Sequence, residues 1–491
     1  MGGRRRIVLF LFAAGAYAAC AVPQWHAQAP VWRGAGIVAA TLILWIGEVA
    51  PLGVTALGVP VASVFAGILT WREAVGAWGD EIVFLFLGAF LLARALDKHG
   101  AFDFVRHSRF LSRTDGSTGL ATAAAVLLVS GAVSTMQNNT AVAAMLLPAT
   151  TALAKRTRGP AAVLLALAWG STFGGMATPV GTAPNFIGYE AMRRMDAGVN
   201  FLGWMRVGLP VWLGTSLIGW GVLAAMARWT RRSAGGGGSH GPAWMEAMVV
   251  TDVGPVPAEV AGGVAEEAGD SGDRRAARRI ALVAFGAAAA VWLATGVVKS
   301  AAAPGGPAMT WVGRYLPESL VPIVAAWLLF LIPAGRGGKA VLDRHDFQAL
   351  DWDTLFLIAG GLGLGRMLEA SGFGAAVAAQ VQGAGVTGGW VLLALAATTV
   401  VLSELTSNTA TAALMVPIAA ALAKATGVDP VQAVWTTCLS ASLGFALPVS
   451  TPPNALVYGT GLVPLRWMVL TGVVVDGLAM AWVVACVRWL G

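Results

Sequence analysis

Between residues 7 and 490 the chain is a succession of apolar windows, and that succession limits the fold more than any other feature. Before the middle the windows fall near 7–24, 34–50, 52–70, 81–98, 119–154, 161–190 and 204–227. After it they fall near 280–298, 318–333, 353–370, 389–423, 431–458 and 467–490. A helix needs about 20 apolar residues to span a bilayer. Inside the bilayer every backbone N–H and C=O must find its partner within the chain. The composition agrees, at 57% hydrophobic and 12% charged residues with a mean hydropathy of +0.72. The reading is an all-α polytopic membrane protein.

Several function classes drop out. The net charge of +7 comes from Lys and Arg in short loops between apolar runs, as the positive-inside rule expects. No basic stripe with interleaved aromatics points to nucleic acid. Cys20, Cys438 and Cys486 lie in apolar runs without metal-ligand spacing, and the five histidines are scattered. No HExxH, no GxSxG outside the Gly-rich stretch at 235–241 and no paired intramembrane carboxylates are read from the sequence, so the chain does not read as an enzyme, and no cofactor is expected. The opening MGGRRRIVLFLFAAGAYAAC has the outline of a secretory signal. Because the rest of the chain is also rich in membrane windows, it reads instead as a first spanning helix with its N-terminus in the cytoplasm, in the cell's inner (plasma) membrane.

Residues 228–279 interrupt the apolar pattern with GGGGS at 235–239, EEAGDSGD at 266–273 and arginines at both ends. This reads as a flexible cytoplasmic linker over 229–277. The expected organisation is then a first helix and outer loop at 1–32, one repeat at 33–228, the linker, and a second repeat at 278–491. With both the N-terminus and the linker inside, the first half must cross an even number of times, so one of its seven windows does not cross. The window 119–154 lies between Arg106, Arg109 and Arg113 on one side and Lys155, Arg156 and Arg158 on the other. Both flanks look cytoplasmic, which makes it a re-entrant hairpin, drawn at 119–156.

The second half repeats the first. At a constant offset of 269, twelve of the 24 positions in 134–157 are identical to 403–426. At the same offset eight of 15 match between GMATPVGTAPNFIGY (175–189) and GFALPVSTPPNALVY (444–458). The second hairpin is drawn at 388–424, and unwound breaks near 178–185 and 447–454. Crossing parity makes the two copies inverted, with about 11 transmembrane helices plus the two hairpins. Inverted repeats with broken helices point to a secondary transporter whose site lies where the breaks meet.

The tips carry the chemistry. Asn139-Thr140 and Asn408-Thr409 end one half-helix and begin the next. A half-helix N-terminus offers free N–H groups and the positive end of the dipole, an anion site that needs no lysine. Freed carbonyls behind each tip, with those of the proline-broken stretches, are cation ligands. Singly, each break reads more naturally as a packing kink; two copies at a fixed distance from two polar tips do not. Glu404 lies in the second hairpin with Thr135 as its mate, balanced between a functional acid and a local structural bond. Glu48 reads as a turn residue, and Arg94 and Arg366 as helix-end anchors.

The paired tips, TSNTATAALMVP, the GTAPN and STPPN segments and the early Trp45, Glu48, Pro51 and Thr55 pattern resemble the divalent-anion/sodium symporter family over nearly the whole chain outside 229–277. The resemblance implies a homodimer in which an elevator-type transport domain holds both hairpins and both breaks. It implies a small divalent anion as substrate, with sodium as coupling ion. A C4-dicarboxylate such as succinate comes first and sulfate next. By motif match the substrate contacts are Asn139, Thr140, Ser407, Asn408 and Thr409, with Thr182 and Thr451 nearby. The first sodium site maps to Ser134, Asn138, Asn139 and Gly181, and the second to Ser403, Thr406, Asn408 and Ser450. One departure stands out: the family begins each tip with Ser, and here the first begins with Asn138. A sodium-independent exchanger, an anion channel and an oxyanion permease of related architecture remain open at this point.

Overall fold

A computed structural model describes residues 3–21, 29–47, 49–101, 119–157, 159–195, 198–235, 271–301, 306–334, 338–383 and 388–491. Glu48, the loop arginines Arg106, Arg109, Arg113 and Arg158, and residues 236–270 of the expected linker lie outside the described residues. Among the described residues the fold is helical, and the β pairing is a single bridge between Pro333 and Ala340. Helices satisfy their own backbone, which is what a chain this apolar requires in lipid.

Among the described residues four helices are long and apolar enough to cross a membrane: Trp71–Lys98, Phe201–Arg228, Gly272–Val298 and Leu465–Leu490. The pair Pro307–Tyr315 and Leu320–Leu331, bent by 43°, is long and apolar enough only when its two members are taken together. Uninterrupted helix length therefore supports fewer crossings than the expected eleven. The difference falls on short apolar helices such as Pro30–Trp45 and Leu52–Phe65, and on helices broken in mid-course. The linker is shorter than its sequence suggests, because Phe201–Gly235 and Ser271–Ala301 carry helix into both of its ends. Once a helix is nucleated each added residue costs little, so the flanking arginines continue the helices they follow or precede.

Each window drawn as a hairpin folds as a pair of helices. The first pair is Leu120–Ser134 and Asn139–Ala154, the second Gly389–Leu405 and Asn408–Thr426. The proline-bearing stretches separate helices as well. Pro160–Gly175 stops and Ala183–Arg194 resumes; Pro430–Ser440 stops and Pro452–Tyr458 resumes. Each first half packs on its own hairpin, while each second half packs on an arm of the other one: Ala183–Arg194 lies on Asn408–Thr426, and Pro452–Tyr458 on Asn139–Ala154. This exchange draws the two tips and two breaks into one body.

The middle of that body is the helix Pro160–Gly175, whose residues are buried from Ala161 to Gly175. A helix that is apolar all round belongs inside. Phe173 meets Phe445 of the second break with ring centroids 5.0 Å apart, and Trp204 meets Trp435 at 4.3 Å. Between membrane helices such close packing, rather than exclusion of water, supplies most of the attraction. A second, smaller apolar cluster gathers Leu92, Leu96, Ala281, Ala326, Leu329 and Val341, from helices outside the hairpins and breaks.

Ion pairs tie the outer helices down. Asp346 is 2% exposed and takes Arg94 at 3.2 Å and Lys98 at 2.6 Å. Asp80 takes Arg194, and Arg366 at 3.5 Å. Arg94 and Arg366 thus hold helices together, in line with the anchor role read from the sequence.

Candidate functional site

Each hairpin turns over at a Ser–Asn contact. Ser134 Oγ donates to Asn139 Oδ1 at 2.8 Å, and Ser403 Oγ donates to Asn408 Oδ1, also at 2.8 Å. Each serine is in the last turn of one arm and each asparagine is the first residue of the next. The same bond at an offset of 269 shows that the sequence duplication is a duplication of geometry.

The breaks repeat equally well. Asn185 Nδ2 donates to the carbonyls of Gly175 and Thr178, each at 2.8 Å. Asn454 Nδ2 donates to those of Gly444 and Leu447, at 3.0 and 3.1 Å. Both amides are fully buried. They satisfy the carbonyls of Gly175 and Gly444, whose usual helical partners are Pro179 and Pro448, and add a bond to those of Thr178 and Leu447, which also take backbone N–H groups from Gly181 and Ser450. Thr182 and Thr451 hold extended backbone at the N-caps of the resumed halves, with φ of −152° and −141°.

A glycine at the end of each first half lets tip and break touch. A Cβ on Gly175 would collide with the Asn139 side chain, and one on Gly181 with the Gly175 backbone. A Cβ on Gly444 would lie 3.3 Å from Ser450 Cβ and 3.6 Å from Ser403 Oγ. The structure therefore brings Ser134, Asn139 and Gly181 together on one side and Ser403, Asn408 and Ser450 on the other. Asn139, Thr140, Ser407, Asn408 and Thr409, the expected anion contacts, are half-buried in the first turns of the returning arms or at their caps.

Two expected cation residues direct their side chains elsewhere. Asn138 is exposed, and its Oδ1 accepts the Thr140 N–H at 2.8 Å, capping the helix it begins. Thr406 Oγ1 bonds to the Leu402 carbonyl at 3.1 Å and to the Thr411 hydroxyl at 2.8 Å. It lines an apolar recess with Leu42 and Trp45.

The halves differ where tip meets break. In the first, Thr178 Oγ1 donates to the Thr135 carbonyl at 2.6 Å. In the second, Glu404 takes the place of Thr135. Its carboxylate accepts the N–H groups of Ala446 at 2.8 Å and Leu447 at 3.1 Å, together with the Ser450 hydroxyl. Behind it stands Asp476 of the helix Leu465–Leu490, 5% exposed, which accepts the Phe445 N–H at 3.3 Å beside the N–H that Glu404 takes from Ala446. Sequence reading weighed Glu404 but missed Asp476, although a lone acid in an apolar helix was the available signal. It also missed that Gln137, beside the first tip, donates to Asp97 of the helix Glu81–Lys98.

The comparisons with known proteins agree with this architecture. The family model for citrate transporters, CitMHS, matches residues 42–440. The sodium-dependent dicarboxylate transporter SdcS of Staphylococcus aureus strain USA300 is 26% identical over 473 residues, covering 91% of this chain and 84% of the relative. Its counterpart in strain MSSA476 is equally similar. Among solved structures, Neisseria gonorrhoeae MtrF, described as illuminating a class of antimetabolite efflux pumps, superposes with a TM-score of 0.52 at 14% identity over 85% of this chain and 83% of that one. That likeness is one of fold. With a family model spanning most of its length and a body built from two tips and two breaks, the chain belongs to the citrate transporter family: it is a multi-pass membrane transporter and not an enzyme.

Proposed function

We propose that the chain is a secondary active transporter that couples sodium to the symport of a small divalent anion, with a C4-dicarboxylate such as succinate as first substrate and sulfate as the next. The observation that carries this reading is the doubled half-site. Two half-helix N-termini carry Asn139-Thr140 and Asn408-Thr409, and each is backed by a Ser–Asn bond and by a break rich in carbonyls. Anions are favoured at such N-termini, and alkali cations by clustered hydroxyl, amide and carbonyl oxygens. A dianion between the tips with a cation behind each leaves no net charge stranded in the membrane. The name of the Staphylococcus relatives supports both the dicarboxylate and the sodium.

In the proposed cycle sodium binds first at Ser134, Asn139 and Gly181 and at Ser403, Asn408 and Ser450. Its charge and the ordering of the tips then complete the anion site at Asn139, Thr140, Ser407, Asn408 and Thr409, with Thr182 and Thr451 beside it. The loaded body carries both hairpins and both breaks across as a unit, in a homodimer, against the helices that form the smaller apolar cluster. Asn138 favours a second reading. Its amide oxygen is committed to Thr140, which removes one ligand from the first cation site and suits a carrier that exchanges dicarboxylates without sodium.

The test is uptake of labelled succinate into proteoliposomes holding the purified chain. An inward sodium gradient is compared with potassium, and excess unlabelled sulfate and citrate serve as competitors. Sodium-driven uptake that sulfate leaves intact supports a dicarboxylate symporter. Uptake that needs only trapped dicarboxylate supports the exchanger. Block by sulfate or citrate moves the substrate class.

A further inference from the structure

Glu404 is a carboxylate inside the transport body whose partners are all neutral. Its acceptors meet two backbone N–H groups and one hydroxyl. Beside it Asp476 presents Oδ1, a buried oxygen with no donor. Asp476 also accepts the Phe445 N–H at 3.3 Å, next to the Ala446 N–H that Glu404 takes. A half-buried carboxylate with only neutral donors is stabilised further by a cation close by. Three neutral hydrogen bonds ease the desolvation of an ionised carboxylate but do not neutralise it. The group in direct contact with Glu404 that also faces the second tip is Ser450, which packs on Gly444 next to Ser403. The first half has Thr135 at this position, with its hydroxyl returned to the Ala132 carbonyl at 2.8 Å, and no acid.

We propose that Glu404 supplies the fixed negative charge of the second cation site, and that this site therefore binds sodium more tightly than the first and fills before it. Glu404 is a positioning residue with an electrostatic part. It holds the stretch 445–450 so that the Ser450 oxygen lies behind the second tip, and its charge attracts the ion through that oxygen. The first site, built from neutral groups and with Asn138 turned away, is the weaker one and fills after the second, before the anion. This rests on the sodium-coupled reading above.

The experiment is a sodium titration of the purified full chain without substrate. Thermal unfolding is followed by intrinsic tryptophan fluorescence, at constant ionic strength made up with choline. The unmodified chain is expected to gain stability with a half-saturating sodium concentration that Glu404→Gln raises by about a hundredfold, the size of one charge acting over about 6 Å through an effective dielectric of about 20. The maximal stabilisation at saturating sodium should be kept, and Glu404→Asp should recover most of the shift. A purely structural role would lower the unfolding temperature at every sodium concentration without moving the midpoint. Ser403→Ala and Ser134→Ala test the ranking without touching Glu404, and the first should raise the midpoint more than the second. An unmoved midpoint in Glu404→Gln, equal shifts in the two serine variants, or stabilisation that follows pH instead of sodium would each overturn the assignment. No response of the unmodified chain to sodium would remove the sodium-coupled reading itself, and this inference with it.

Discussion

The two halves of the transport body are alike in what shapes them and unlike in what charges them. Both have a Ser–Asn bond across the tip and an Asn amide closing the break onto two carbonyls. They differ at two positions. The first tip begins with Asn138, which caps its own helix, and the second with Ser407, whose side chain makes no cap bond. The first tip meets its break through Thr178 and a backbone carbonyl, and the second through the carboxylate of Glu404. Shared contacts are those that any cation–anion site of this shape needs. The unshared ones are where the halves can divide the labour.

Replacing the shared asparagines should do the most damage. Asn185→Ala or Asn454→Ala leaves the buried carbonyl of Gly175 or Gly444 without a donor and takes one bond from a second carbonyl, and should cost about 3 kcal/mol each, read as a loss of thermal stability in detergent. A tolerated change in one copy would show that its break is not held as its twin is. Next is Glu404→Leu, which strips the acceptor from two N–H groups and a hydroxyl. It should cost about 2 kcal/mol, whereas Thr135→Val should cost less than about 1 kcal/mol. Equal costs would erase the asymmetry. Smaller again is the difference between Ser403→Ala and Ser134→Ala. The Ser403 hydroxyl has a second acceptor, the Ala441 carbonyl, at 2.7 Å, where that of Ser134 has the Gln137 carbonyl at 3.4 Å, so its loss should exceed that of Ser134 by about 0.5 kcal/mol. The smallest change is Asn138→Ser. Asn and Ser are equal as N-caps, so stability should move by under about 0.5 kcal/mol. The half-saturating sodium concentration for uptake should fall, because the change returns a small hydroxyl to the first tip; a rise would mean that Asn138 is itself a ligand.

Much of this body was legible in the sequence because its parts violate local rules. Asn, Thr and Pro inside apolar runs are unfavourable unless the backbone turns there, and their recurrence at one offset made them readable as tips and breaks. Helix ends fall at those residues in all four stretches. The exchange of second halves between hairpins was not legible, because it depends on packing between segments more than 200 residues apart in sequence. Nor was the convergence of Glu404 and Asp476 on neighbouring N–H groups, or the meeting of Gln137 with Asp97, since each pairing joins elements whose local patterns carry no mark of the other. The linker was drawn too long for a different reason. Its Gly-rich and charged residues are poor helix starters, but the apolar helices on either side had already met the cost of nucleation.

The most direct test of the central claim, that the two tips form one site, is sodium-driven succinate uptake by Asn139→Ala and Asn408→Ala, measured beside the unmodified chain in the same proteoliposomes. Each asparagine is assigned to both an anion contact and a cation contact, so each change alone should reduce uptake by at least about tenfold. Full uptake by either variant would mean that its tip is only a structural copy, and that the other tip holds the substrate alone.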